Sequence, residues 1–235
     1  MRGTASLSSS SPKLASTDAE KLAALRELAK TNSHAAAKEA WKWLEGFPKE
    51  TQPPRLAALF AEGTPPSEES VEGDCEGMVI GLFGRTWLRG LDGLARLGRL
   101  LGGPGWAGKT FQMNTLTGYN RLTRGAYIPF MLAVPNYRLQ RRRDEWLGLY
   151  FDVAYEPSSL DRERTVLAIR YEHPRHRNPE LLRRTRDELV ELIPGICLGR
   201  VILASGVGRS DHELVGYFAL RRIPEGERKR PRTII

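Results

Sequence analysis

The 235-residue chain contains only two cysteines, Cys75 and Cys197, far apart and in no metal-ligand spacing. That scarcity excludes a disulfide framework and a cysteine-based zinc site, and it leads us to expect two reduced, buried thiols in a cytoplasmic protein. No apolar run reaches the roughly 18 residues that a membrane-spanning helix needs. The opening MRGTASLSSSSPKLAS has no apolar segment of the kind a secretory signal requires. Histidine is also scarce, with 4 in the chain. His173 and His176 in YEHPRHRNP flank Pro174, and no acid or cysteine cluster completes a ligand set, so neither a metal nor a cofactor is expected. Asp211-His212-Glu213 falls in a turn with no Ser or Cys to activate, and no pair of carboxylates stands at a catalytic spacing. These absences point away from an enzyme.

What is present is the composition of a globular domain, with 40% apolar and 27% charged residues. The formal net charge is +8, concentrated in 121–143, 175–186 and the tail GERKRPRTII. Such a balance permits weak contact with an anionic membrane or nucleic acid without identifying either. The Trp87-containing segment 85–101, with Arg89, Arg96 and Arg99 opposite a leucine stripe, reads as an amphipathic helix suited to such a contact, and the tail reads as a second basic element.

Residues 1–16 are Ser-rich and are expected to be disordered. A helical appendage follows over 17–66, with helices near 17–30, 33–45 and from Pro54 to Gly63. The third unit, 67–223, is strand-rich. Alternation or β-like composition predicts strands at 77–83, 109–113, 126–134, 137–142, 146–155, 164–171, 196–204 and 212–221. Asn178-Pro179 predicts the start of one helix, to about Leu192, inserted before the last two strands. The basic end, 224–235, is expected to be disordered. About eight strands in meander order predict an α+β, mainly β chain built on an antiparallel barrel.

The run GPGWAGKT, Gly103 to Thr110, fits the phosphate-cradling pattern G-x-x-x-x-G-K-[ST]. A working loop of that kind joins a buried strand to a helix. Here a helical leucine pattern precedes it and a strand-like FQMNTLTGYN follows, so both neighbours are of the wrong type. A nucleotide-binding enzyme using Lys109 is therefore the alternative reading rather than the leading one.

Gly73-Asp-Cys75-Glu-Gly77 resembles the G-x-W-x-G opening of lipocalin-like, calycin-type barrels, with Cys75 in the tryptophan position. The runs GWAGKTF (105–111), NPELLRRTRDELVELIPGICLGR (178–200) and GYFALRR (216–222) are similar to bacterial proteins marked by that motif. The resemblance spans about 70–223 and implies a barrel holding a small apolar ligand, lipid- or fatty-acid-like, without catalysis. The candidate ligand-binding residues are Trp106, Lys109, Phe111, Phe130, Tyr150, Asp152, Arg186, Arg200 and Tyr217. Lys109 would meet a ligand carboxylate beside Trp106. Arg186 falls within the apolar stripe Leu182, Leu189 and Ile193 of the expected helix and needs an acid, for which Asp152 is the candidate. Arg200, alternating with Leu198 and Ile202, poses the same demand.

Overall fold

A computed structural model describes residues 16–47, 53–82, 105–205 and 211–223. The described residues form nine antiparallel strands in one sheet: β1 (Gly73–Leu82), β2 (Trp106–Gln112), β3 (Thr117–Thr123), β4 (Gln140–Arg142), β5 (Glu145–Pro157), β6 (Thr165–Arg170), β7 (Thr185–Ile193), β8 (Ile196–Ser205) and β9 (Asp211–Arg222). Their order is β3-β2-β1-β9-β8-β7-β6-β5-β4, and β3 also pairs with β5. That last pairing closes eight strands into a barrel and leaves β4 as an extra strand on the start of β5. The chain is thus α+β, mainly β, around a closed antiparallel barrel, as its strand spacing implies.

Alternation sorts the side chains into two cores. Along β9, Phe218 and Leu220 face the barrel interior, where they join Phe111, Phe151, Leu167, Ile169 and Tyr171. Tyr217 and Ala219 face outward into a second core with Ile80, Val190 and Leu198. Three helices cover that outer face: α1 (Ser16–Thr31), α2 (Ser33–Glu45) and α3 (Pro53–Ala61). Leu22, Leu25, Leu44, Leu56 and Phe60 are buried there, each contributing about 2 kcal/mol by leaving water. Polar clips fix the layer: Arg26 donates to Leu192 O at 3.2 Å and Glu62 O at 2.6 Å, and Arg55 forks onto Asp18 at 2.7 Å through both nitrogens. The helices lack a core of their own and take one from the barrel wall. A single-turn helix, α4 (Glu68–Val71), leads into β1.

Asp211-His212-Glu213, expected in a turn, instead open β9 and pair with the end of β8, and two further local expectations are corrected. Residues 126–134 form not a strand but a short helix, α5 (Tyr127–Ala133), preceded by a 3-10 turn at Arg124–Ala126. Its apolar run fits either state by composition, and packing of Phe130 under the barrel end decides for the helix. The expected helix over 179–192 contracts to a 3-10 turn at Leu182–Arg184, after which β7 takes over. Alternation explains why: Asp187 and Leu189 face inward while Glu188 and Val190 face outward, a period of two that Leu182, Leu189 and Ile193 disguise as a helical stripe. The expected helix over 85–101, the Ser-rich start up to residue 15 and the basic tail lie outside the described residues.

An irregularity in β2 positions the interior. In a regular strand Trp106 and Lys109, three apart, would face opposite sides. The register between β2 and β3 shifts between Trp106 and Gly108, and the extra residue turns both side chains inward. Gly108 sits at φ +128°, where a Cβ would stand 2.0 Å from Cys75 O. Across from it, a Cβ on Gly77 would stand 2.6 Å from the Trp106 ring, so the second glycine of the β1 motif is the space the indole occupies. Gly108→Ala is expected to destabilise the protein by about 3 kcal/mol in urea unfolding, more than an ordinary strand Gly→Ala change would cost.

Candidate functional site

Inside the barrel the described residues enclose one polar cluster. Lys109, 3% exposed, directs its ammonium at three acceptors: Asn120 Oδ1 at 2.9 Å, Tyr171 Oη at 2.6 Å and Asp187 Oδ2 at 2.9 Å. Tyr171 in turn donates to Asp187 Oδ2 at 2.8 Å. Trp106 Nε1 donates to the same Asn120 oxygen at 3.1 Å, and Asn120 Nδ2 donates to Leu149 O at 2.9 Å. Each ammonium proton therefore has a partner, as a buried charge demands. Four rings surround the ammonium, those of Trp106, Phe151, Tyr171 and Phe218, with centroids at 5.3–5.5 Å. Asp187 Oδ1 receives no hydrogen bond among the described residues, which leaves the cluster one spare acceptor.

The backbone beside the cluster is held in an unusual state. Leu149 has φ +52° in the middle of β5, a left-handed conformation costly for a leucine. Its N–H donates to Tyr137 Oη at 2.6 Å while its carbonyl accepts from Asn120. Both polar groups of the kinked peptide are thus taken by side chains rather than by the sheet.

Burial lowers the pKa of Lys109, against the opposing pull of Asp187, so its ammonium is easier to deprotonate than a surface lysine's. Burial raises the Tyr171 phenol well above its ordinary value, and the Asp187 charge pushes the same way, so this hydroxyl stays protonated and donates. The Cys75 thiol is pushed up to about 12 by burial, and Cys197 well above its ordinary value, which keeps both thiols protonated and unreactive. Among the described residues no three His, Cys, Asp or Glu side chains converge on a metal-sized space.

The nine candidate residues occupy four separate places. Trp106, Lys109 and Phe111 lie together in the interior. Phe130 closes one end of the barrel from α5, packed edge-on against Tyr137. Tyr150 and Asp152 lie on the outside of β5: Tyr150 stacks on His176, and Asp152 meets Arg175 and, at 3.2 Å, His176 Nε2. Arg186, Arg200 and Tyr217 lie on the outer face of β7–β9. The expected Arg186–Asp152 pair does not form, because Arg186 is on a strand and reaches Glu156 at 2.7 Å and Glu188 at 3.2 Å. Arg200 pairs Glu188 at 2.8 Å, with its guanidinium 4.3 Å from the Phe60 ring centre. A groove of about 890 Å³ opens beside Arg200, lined among others by Phe60, Thr64, Pro65 and Arg162. This outer belt anchors the α3 layer to the barrel.

The phosphate-loop reading is overturned by β2. Lys109 and Thr110 lie within a strand instead of opening a helix, Lys109 points into the barrel, and Thr110 Oγ1 donates to Asp74 Oδ1 at 2.6 Å. Asn120, Tyr171 and Asp187 had no place among the candidates. Asp187 was hidden by the helical reading of 179–192, and Asn120 lies in β3, a strand that the glycine and threonines around it obscured. Tyr171 was readable, since it continues the inward alternation of Leu167 and Ile169.

No family model and no curated protein matches the chain. Among solved structures it is similar to a protein from Thermomonospora curvata, at 18% identity over 80% of this chain and 99% of that one, with a TM-score of 0.44.

Two outcomes follow from the electrostatics. Removing either member of the Lys109–Asp187 pair leaves a buried uncompensated charge, so Lys109→Met and Asp187→Leu should each cost about 3–5 kcal/mol in urea unfolding. The double variant should recover most of that loss. On the outer belt, burial alone would raise the pKa of Glu188, but the Ser159 amide, Arg200 and Ser158 outweigh it and hold it low. A depressed folded pKa means stability that is present above the ordinary Glu value of 4.5 and is lost as pH falls through the lower folded value. Glu188→Gln should cost about 3 kcal/mol at neutral pH and flatten the acid side of the thermal-stability profile.

Proposed function

We propose that the barrel is a non-enzymatic, calycin-like binding protein for a small, mainly apolar molecule with one polar group that engages the Lys109 cluster. A sealed set of Lys109, Asp187, Tyr171 and Asn120 carries this reading. A barrel needing only stability does better with aliphatic side chains in that space, because burying an ion pair rarely gains over good apolar packing. Polar groups kept at such a cost are most economically explained by a ligand. The aromatic lining supplies apolar contact, Lys109 attracts a carboxylate or carbonyl, and Asp187 Oδ1 accepts from a hydroxyl.

The rings of Phe111, Phe151, Tyr171 and Phe218 fill the interior around the cluster. Occupancy is therefore coupled to movement of α5, whose Phe130 closes the nearby end. Native mass spectrometry of the purified protein, followed by solvent extraction, should reveal a bound small molecule. A medium-chain fatty acid or its alcohol should raise the melting temperature of the protein but not of the Lys109→Met/Asp187→Leu double variant. A bare protein that neither probe stabilises would remove this reading.

A further inference from the structure

The segment between β2 and β5 carries charge of one sign. From Phe111 to Arg143 there is no Asp or Glu, while arginine stands at 121, 124, 138, 141, 142 and 143. Two of the six are used inside the fold: Arg121 pairs Glu145 at 3.0 Å, and Arg142 pairs Asp74 at 2.9 Å and Glu145 at 3.2 Å. The other four, Arg124, Arg138, Arg141 and Arg143, are exposed and pair with no carboxylate among the described residues.

The same segment holds α5, whose two faces are both apolar. Ala126 and Phe130, four apart, point inward and close the barrel end. Ile128 and Leu132, also four apart, point outward and are 69% and 76% exposed, the largest exposures among the big apolar side chains described. A helix that needed only to cap the barrel would carry polar residues there.

Three of these arginines lie on the elements that adjoin α5. Arg124 lies in the turn that starts α5. Arg141 stands opposite Trp146 in the β4–β5 ladder, and Trp146 stacks on Tyr127 of α5 at 4.0 Å. Arg143 follows at the tip of the β4–β5 turn, with φ +54°.

We infer that this end of the barrel docks on an anionic lipid bilayer. Ile128 and Leu132 enter the interface, and Arg124, Arg138, Arg141 and Arg143 sit at the level of the phosphates. Outward apolar side chains on a segment whose exposed charges are all cationic are the chemistry of an interfacial anchor. Nucleic acid would use the arginines and leave two apolar side chains without a role. This inference does not depend on what the barrel binds, since vesicle association is read without any ligand.

Flotation of the full-length protein with phosphatidylcholine vesicles, with and without phosphatidylglycerol, tests it. Binding is expected to be at least tenfold stronger on the anionic vesicles and to weaken with salt. Ile128→Asp/Leu132→Asp should lower it at least tenfold with an unchanged melting temperature. Reversing the four exposed arginines to glutamate should remove the preference for anionic lipid. Three results would overturn the inference: absence of vesicle binding, binding unaffected by both sets of substitutions but lost on truncation after residue 223, or double-stranded DNA binding that the Ile128/Leu132 variant retains in full.

Discussion

A lysine ammonium enclosed in a protein must find three acceptors and a countercharge, and much of this barrel's interior meets that demand at Lys109. Asp187 from β7 supplies the charge, Tyr171 beyond the end of β6 and Asn120 from β3 supply the remaining acceptors, and four rings occupy the space around them. Strands far apart in the chain are therefore bound to one point on β2. The bulge at Trp106–Gly108 belongs to the same constraint, because without it the indole could not reach Asn120 from the side on which Lys109 lies.

The outside of the barrel solves a different problem. Several ion pairs there serve attachment: Glu188 holds Arg200 beneath Phe60, and Asp74 holds Arg142 of β4 against the wall. The N-terminal helices bring leucines and aromatic rings to this surface and would have little to bury against without it. Interior and exterior thus use arginine and lysine differently. The planar guanidinium bridges elements across the surface, and the compact ammonium fits at the centre of a ring of acceptors.

Much of this was legible in the residues. Alternation or β-like composition placed β1, β5, β6, β8 and β9 to within a few positions, because each separates an interior of aromatic and branched side chains from a polar or helix-covered outside. Trp106, Lys109 and Phe111, close together in the sequence, all reach the barrel interior. Two kinds of information were not local. Leu182, Leu189 and Ile193 mimic a helical stripe, and only pairing of β7 with β6 and β8 settles the two-residue period that brings Asp187 inside. The partners of a charge are likewise set by barrel closure: Asp152 and Arg186 look plausible in sequence and lie in one cross-strand row with Arg170 between them, but Asp152 meets Arg175 and His176 while Arg186 meets Glu156 and Glu188.

The peptide at Leu149 links two regions that otherwise share only apolar contact. Its amide is held by Tyr137, four residues beyond α5, and its carbonyl by Asn120, which also holds Lys109 and Trp106. Asn178 strengthens the joint: its oxygen faces Tyr137 Oη at 3.3 Å, and its amide nitrogen donates to the carbonyls of Tyr150 and Tyr171. A shift of the segment after α5 therefore pulls on a backbone unit already held away from its resting geometry. The other end of that unit is the side chain that shares its oxygen with the lysine. The capping segment and the buried charge are thus joined by one unbroken run of hydrogen bonds that passes through the Leu149 backbone.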